Sequence, residues 1–166
     1  GKSKWDELFV IGNKRNDIQW NSSSLNILKM PFVTPDSKDI EDFLKSNIED
    51  EWKWGNWALN LNFTQGGYDT THVDFVPGAT PHVNGLAGST ITMDANMPIT
   101  EYTVRWTIRH EFGHTLGFPD CYVEFYDTNS REMISYQIDT SNLMCSRRGK
   151  LQQKHYEELK RVYFSS

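Results

Sequence analysis

The run His110-Glu111-Phe112-Gly113-His114-Thr115-Leu116-Gly117-Phe118-Pro119-Asp120 sets two imidazoles, a carboxylate between them and a second carboxylate close together in the chain. On a helix of about 3.6 residues per turn, His110 and His114 fall about 40° apart around the axis and about 6 Å apart along it, so both rings reach one ion. Glu111 lies on the same side, is not needed as a ligand, and can take a proton from a metal-bound water. Gly117 suits a left-handed helix end that turns the chain back, and Pro119 keeps the helix from resuming. Asp120 then supplies a third ligand and leaves one position for water, the pattern of a catalytic zinc site. The competing reading is an amphipathic helix with incidental histidines. A random chain of this composition shows His-Glu-x-x-His roughly once in a hundred cases, and with the glycine and aspartate added on the order of once in ten thousand.

HEFGHTLGFPD resembles the signature of the metzincin clan of zinc metallopeptidases, His-Glu-x-x-His-x-x-Gly-x-x-His or Asp. Its Asp form is most similar to the snapalysin-type branch. The resemblance implies a zinc endopeptidase with one catalytic Zn2+ on His110, His114 and Asp120, Glu111 as general base, and a polypeptide substrate. An anionic third ligand makes the metal less electrophilic than three neutral imidazoles would. Two alternatives stay open. One is a zinc-retaining but latent or non-catalytic binding module, with the loop from Tyr122 to Thr140 over the cleft. The other is a ferrous oxygenase, since two histidines and a carboxylate also hold iron; Glu111 has no necessary role there.

Further marks follow the same resemblance. Ser141-Asn142-Leu143-Met144-Cys145-Ser146 is the candidate methionine turn, with Met144 as an apolar floor under the ligands; the plainer reading is a core methionine filling an irregular gap. Ser146 stands where some metzincins carry a tyrosine, so a tyrosine assisting the oxyanion has to come from elsewhere, with Tyr122 and Tyr136 as candidates. The two cysteines, Cys121 and Cys145, each directly follow a residue that the resemblance places at the metal. That implies a Cys121–Cys145 disulfide, worth roughly 3–4 kcal/mol for a loop of about 25 residues, and an oxidising compartment. Two free thiols, one on the metal, are the alternative. The family lays extended substrate against an edge strand above the metal, and Leu86, Ala87 and Gly88 are the candidate substrate-binding residues, their low bulk permitting close backbone approach.

The elements that position these residues form an α/β (α+β) chain, and the resemblance over residues 16–164 implies a metzincin-type zincin fold. That fold is a mixed twisted sheet, an active-site helix and a C-terminal helix, with two lobes around a cleft. We expect one catalytic domain over 1–166, its upper lobe at about 16–117 and its lower lobe at about 118–166. Residues 24–33 read as a strand. Pro35-Asp36-Ser37 opens a helix of about 18 residues, with Ile40, Phe43, Leu44, Ile48 and Trp52 at helical spacing. Residues 59–63 and 72–76 are short strands, and 86–93 one or two more. The active-site helix is expected to be capped by Thr100, with Val104, Ile108, Phe112 and Leu116 as the stripe against the sheet. A last helix carries Leu151, Tyr156, Leu159, Val162 and Tyr163.

At 166 residues, 37% hydrophobic and 13% aromatic, the chain has material for one core. A net charge of −5 with both signs interspersed argues against nucleic acid as partner. No apolar run is long enough to cross a bilayer. Gly1-Lys2-Ser3 reads as a processed or trimmed start, and the expected location is secreted or at the cell surface, with a prosegment or protein inhibitor as further partner. Trp52, Trp54 and Trp57 read as core before they read as a sugar platform. His72, Asp74 and His82 read as ordinary strand and loop residues before they read as a structural metal site. Arg147-Arg148-Gly149-Lys150 reads as a solvated turn, with recognition of acidic substrate side chains as the alternative.

Overall fold

The computed structural model describes residues 8–137 and 140–166, without the side chains of 122–127 and 133–137; Gly1-Lys2-Ser3 lies outside it. The architecture is α+β. β1 (Ile27–Val33) pairs in parallel with β3 (Trp57–Thr64), and β2 (Lys53–Trp54) pairs antiparallel with β3. β4 (His72–Val76) pairs in parallel with β6 (Thr90–Asp94), and β5 (His82–Val83) pairs antiparallel with β6. The Val33 amide donates to the Thr71 carbonyl at 2.8 Å, joining the two three-stranded sheets at β1 and β4. β1 alternates buried Leu28, Met30 and Phe32 with more exposed neighbours, as a strand with one covered face must.

The helix opened by Ser37 starts at Lys38, because the Ser37 hydroxyl accepts from the Ile40 amide. It runs as α1 (Lys38–Leu44) and then widens into a π-helical turn over Lys45–Glu49. There the Asn47 side-chain amide donates to the Phe43 carbonyl at 2.7 Å, so a side chain satisfies a group of the backbone ladder. The periodic apolar positions remain in place, with Phe43, Leu44, Ile48 and Trp52 buried.

The helix that carries His110 and His114, α2 (Tyr102–Leu116), starts later than expected, and Thr100 does not cap it. The Glu101 amide donates to the Pro98 carbonyl at 3.0 Å, closing a turn over Thr100, and the Glu101 carbonyl accepts the first helical bond, from Arg105. Val104, Ile108, Phe112 and Leu116 are all buried, each fully buried side chain contributing roughly 1.5–3 kcal/mol. Trp52 lies against this stripe, edge-on to Phe112 at 5.8 Å and stacked on Phe118 at 5.9 Å. Trp52 and Trp57 are therefore core, and Trp54 is exposed.

Two expected elements differ. Residues 86–88 form no strand: Leu86 and Ala87 sit in a turn, Ala87 with φ 62°, and only Thr90–Asp94 of the 86–93 segment is a strand. Gly85 and Gly88 close that turn, the Gly88 amide donating to the Gly85 carbonyl at 2.9 Å. The 122–140 loop contains a hairpin, β7 (Tyr122–Asp127) antiparallel to β8 (Glu132–Gln137), turning at Arg131 with φ 59°. α3 (Gln153–Tyr163) closes the fold with Leu159 and Tyr163 buried, and Leu151 just precedes it. No helix of the described residues is long and apolar enough to cross a membrane.

Candidate metal centre

α2 delivers His110, Glu111 and His114 into the interior at 7%, 4% and 9% exposure. Gly117, in the left-handed region at φ 107°, ends the helix, and the chain returns through Phe118 and Pro119 to Asp120. His110 Nε2 and His114 Nε2 each lie 3.0 Å from the same oxygen, Asp120 Oδ1. Tetrahedral zinc with bonds of about 2.0–2.1 Å sets its ligands about 3.3 Å apart, so this spacing fits such an ion.

The hydrogen bonds on the far side of each ring strengthen that fit. His110 Nδ1 is 2.9 Å from the Leu143 carbonyl and His114 Nδ1 is 2.8 Å from the Phe118 carbonyl. A carbonyl only accepts, so Nδ1 carries the hydrogen in each ring and each Nε2 presents a lone pair. Asp120 Oδ1 is buried and, with both rings neutral, has no donor. Three electron-pair donors facing one another require a cation between them. Without a metal a proton serves. Burial by itself would raise the Asp120 carboxyl and lower His114, but their mutual contact outweighs it, holding Asp120 well below the usual carboxylate range and His114 above its ordinary value. Burial also pushes the Glu111 carboxyl up, opposed by the two imidazoles and by Arg147.

The segment after the site is built around Asn142. Its Oδ1 accepts the Met144 amide at 2.8 Å, and its carbonyl accepts the Cys145 and Ser146 amides at 3.0 Å. Met144 is fully buried beneath α2, where a methyl group on Gly113 would overlap its Sδ and crowd Trp52. Gly113 is thus the helix position at which Met144 seats, a constraint that an unspecified residue in the motif does not announce. Cys121 and Cys145 form a disulfide, and the Cys121 amide donates to the Met144 carbonyl at 3.2 Å. The residue after Asp120 is thereby fastened to the residue after Met144.

The three donors face a cleft of about 840 Å3. Its walls include the edge strand β5 with Leu86 on one part, Trp106 of α2, and Ser146, Arg147 and Arg148 after Met144. Trp106 precedes His110 by four residues, a spacing that places it on the ligand face and was open to sequence reading. Arg15, outside the span of the family resemblance, is buried, and its guanidinium donates to the carbonyls of Ala87 (3.1 Å), Gly88 (3.0 Å) and Asp69 (3.1 Å) while pairing with Asp17 (2.9 Å). The Ala87 amide donates to the His114 carbonyl at 2.7 Å. Ala87 and Gly88 are therefore fixed by the fold, whereas Leu86 borders the cleft. Of residues 128–132 and 140, whose side chains are described, none borders it; the side chains of the rest of the 122–140 segment, Tyr122 and Tyr136 included, lie outside the description. Among the described residues His72, Asp74 and His82 do not gather as a metal cluster: His72 pairs with Thr70 and Thr90, and His82 with the Thr80 carbonyl.

No protein-family model and no curated protein sequence matches this chain. Among solved structures it is similar to myroilysin, with a TM-score of 0.42 and 21% identity over 60% of this chain and 45% of that one. A second myroilysin structure gives 0.39 and 17% over 72% and 58%. High choriolytic enzyme 1, a hatching enzyme zinc-protease of the medaka fish Oryzias latipes, gives 0.38 and 17% over 65% and 55%. The chain spans about half the length of these proteins, and the site's own geometry carries the functional reading.

Proposed function

We propose that this chain is a zinc-dependent endopeptidase of metzincin type, with the Asp-ligand, snapalysin-like motif, acting as one catalytic domain over 1–166. The observation that carries the reading is the meeting of His110 Nε2, His114 Nε2 and Asp120 Oδ1 beside buried Glu111 at an open cleft. His110, His114 and Asp120 are the proposed ligands of one zinc ion, above a Met144 floor. Zinc, when bound, supplies a Lewis acid for the scissile carbonyl and acidifies a coordinated water. Glu111 takes the proton of the attacking water and passes it to the leaving amine; its burial makes it a stronger base than an exposed glutamate. The Leu143 and Phe118 carbonyls hold the imidazoles in the tautomer that leaves Nε2 free. The extended substrate pairs with the free edge of β5, with Leu86 at its rim, in the manner of strand addition. The Cys121–Cys145 disulfide supports an extracytoplasmic location, secreted or at the cell surface. A prosegment or protein inhibitor occupying the same cleft fits this reading.

The test is cleavage of casein and a quenched fluorescent peptide library, with and without a zinc chelator, by the protein and its Glu111→Gln variant. Chelator-sensitive cleavage that falls about 100- to 10,000-fold in the variant, with its zinc content retained, is the expected result. A zinc-loaded protein that cleaves nothing refutes the peptidase and favours the binding module. Purification with stoichiometric iron instead of zinc favours the oxygenase.

A further inference from the structure

Arg147 and Arg148 face the same cleft as the metal donors, and the backbone holding them is fixed at both ends. The Gly149 amide donates to the Ser146 carbonyl at 2.9 Å, closing a tight turn with the two arginines at its central positions. Before the turn, Cys145 is tied by the disulfide to Cys121, the residue directly after Asp120. After it, Gly149 lies so close to Asn142 that a methyl group there would overlap the Asn142 carbonyl. The arginines are thus presented by the segment that carries Met144, in a fixed relation to the metal centre.

Neither arginine is held in an ion pair among the described residues. Both residues are exposed, and among the described residues neither has a carboxylate within 4 Å. The Arg148 guanidinium lies over the Trp106 ring at 4.9 Å, which orients its planar fork beside the cleft. Arg147 lines the cleft together with Glu111. Among the described residues, the side chains around the cleft include no carboxylate other than Glu111 and Asp120. A chain with a net charge of −5 therefore turns toward its cleft two arginines that have no carboxylate partner among the described residues.

We propose that Arg147 and Arg148 are specificity-determining residues that select a polypeptide substrate bearing an aspartate or glutamate side chain near the scissile bond. The proposal rests on the peptidase reading above. A guanidinium held by its turn and by an aromatic face loses little freedom on pairing with a carboxylate, and a charge-assisted pair in a partly enclosed cleft discriminates more than one on open surface.

The experiment scans Glu, Gln and Lys through the four positions on either side of the bond in one quenched peptide. kcat/KM is read for the zinc-loaded protein and for the Arg147→Glu/Arg148→Glu variant. The protein is expected to favour Glu over Gln by about 10- to 100-fold at one position or more, an effect that shrinks at high ionic strength. The variant is expected to invert the preference at that position and cleave the Lys peptide better than the Glu peptide. Such a gain does not arise from misfolding. Cleavage with no acidic preference at any position overturns this proposal and leaves the peptidase reading standing, as does an acidic preference that survives charge reversal. Failure to cleave any peptide with zinc bound overturns both.

Discussion

The candidate centre is built in two unlike ways. α2 presents His110, Glu111 and His114 by periodicity alone, on a helix whose opposite stripe is buried from Val104 to Leu116. Asp120 and Met144 come from irregular backbone, held by a disulfide, by the Asn142 side chain and by carbonyls aimed at the imidazole Nδ1 atoms. The helical half is stabilised by area and repeats, so the residues of its buried stripe are replaceable in small steps. The irregular half depends on a few specific links, so losing one should displace a whole group. Gly117 is the joint between them, with Ile11 and Asn13 packed where its side chain would be.

Cutting the disulfide is the strongest test of that contrast. A Cys121→Ser/Cys145→Ser variant should lose roughly 3–4 kcal/mol of stability, seen as a lower urea midpoint. Its zinc affinity should fall by about 10- to 100-fold as well, since Asp120 is no longer held to the Met144 segment. Ile108→Val, in the helical stripe, should lose about 1 kcal/mol and keep its zinc affinity. Equal zinc affinities in the two variants would show that Asp120 is positioned without the disulfide.

Gly113→Ala tests the contact between the halves. Glycine to alanine inside a helix ordinarily stabilises by about 0.5–1 kcal/mol. Here the added methyl meets Met144 Sδ, so the sign should reverse to a loss of about 1–3 kcal/mol. In a Met144→Ala background the same change should cost much less, a coupling that denaturation of the four proteins would measure. Additive effects would mean that Met144 does not seat on this position.

Arg15→Met probes the opposite wall, where a buried guanidinium holds three carbonyls. Leaving those acceptors without a partner should cost about 1–3 kcal/mol. It should also raise KM on peptide substrates more than it lowers kcat, because Leu86 loses its fixed position at the rim of the cleft. A fall in kcat alone would place the effect at the metal centre instead.

What could be read in the sequence divides along the same line. The ligand helix, its buried stripe and the left-handed Gly117 follow from spacing and residue type, and β1 from the alternation within 24–33. Asp120 follows from the helix stop at Gly117 and Pro119, whereas Met144 and the cysteine pair come from the family resemblance, because irregular backbone leaves no period to read. The 86–88 turn was expected as a strand since glycines permit either form, and what decides it is Arg15, far away in sequence, binding the Ala87 and Gly88 carbonyls. The β7–β8 hairpin falls in a stretch whose polar residues suggest a loop, although Val123, Phe125, Met133 and Ile134 supply strand-forming residues on both sides of a polar turn. Trp106 carries a usable signal in its helical spacing from His110, weaker than the motif beside it.

The smallest effect concerns the segment that crosses the joint at Gly117. Glu158 on α3 accepts the Ile11 amide at 2.6 Å and pairs with Arg161 at 2.6 Å. Burial would raise this carboxyl, but the Arg161 and Ile11 bonds outweigh it and hold it below its ordinary value. A lowered acid contributes stability only where it is ionised, so the contribution is complete above its unfolded pKa of about 4.3 and is lost as pH falls through the folded value. With part of the pair open to solvent, Glu158→Gln should cost about 1 kcal/mol or less near pH 7. The urea midpoints of the two proteins should differ at neutral pH and converge as the pH drops below 4. A difference that persists unchanged into acid would assign Glu158 a packing role, leaving Gly117 and the side chain of Ile11 to hold the two halves together without its charge.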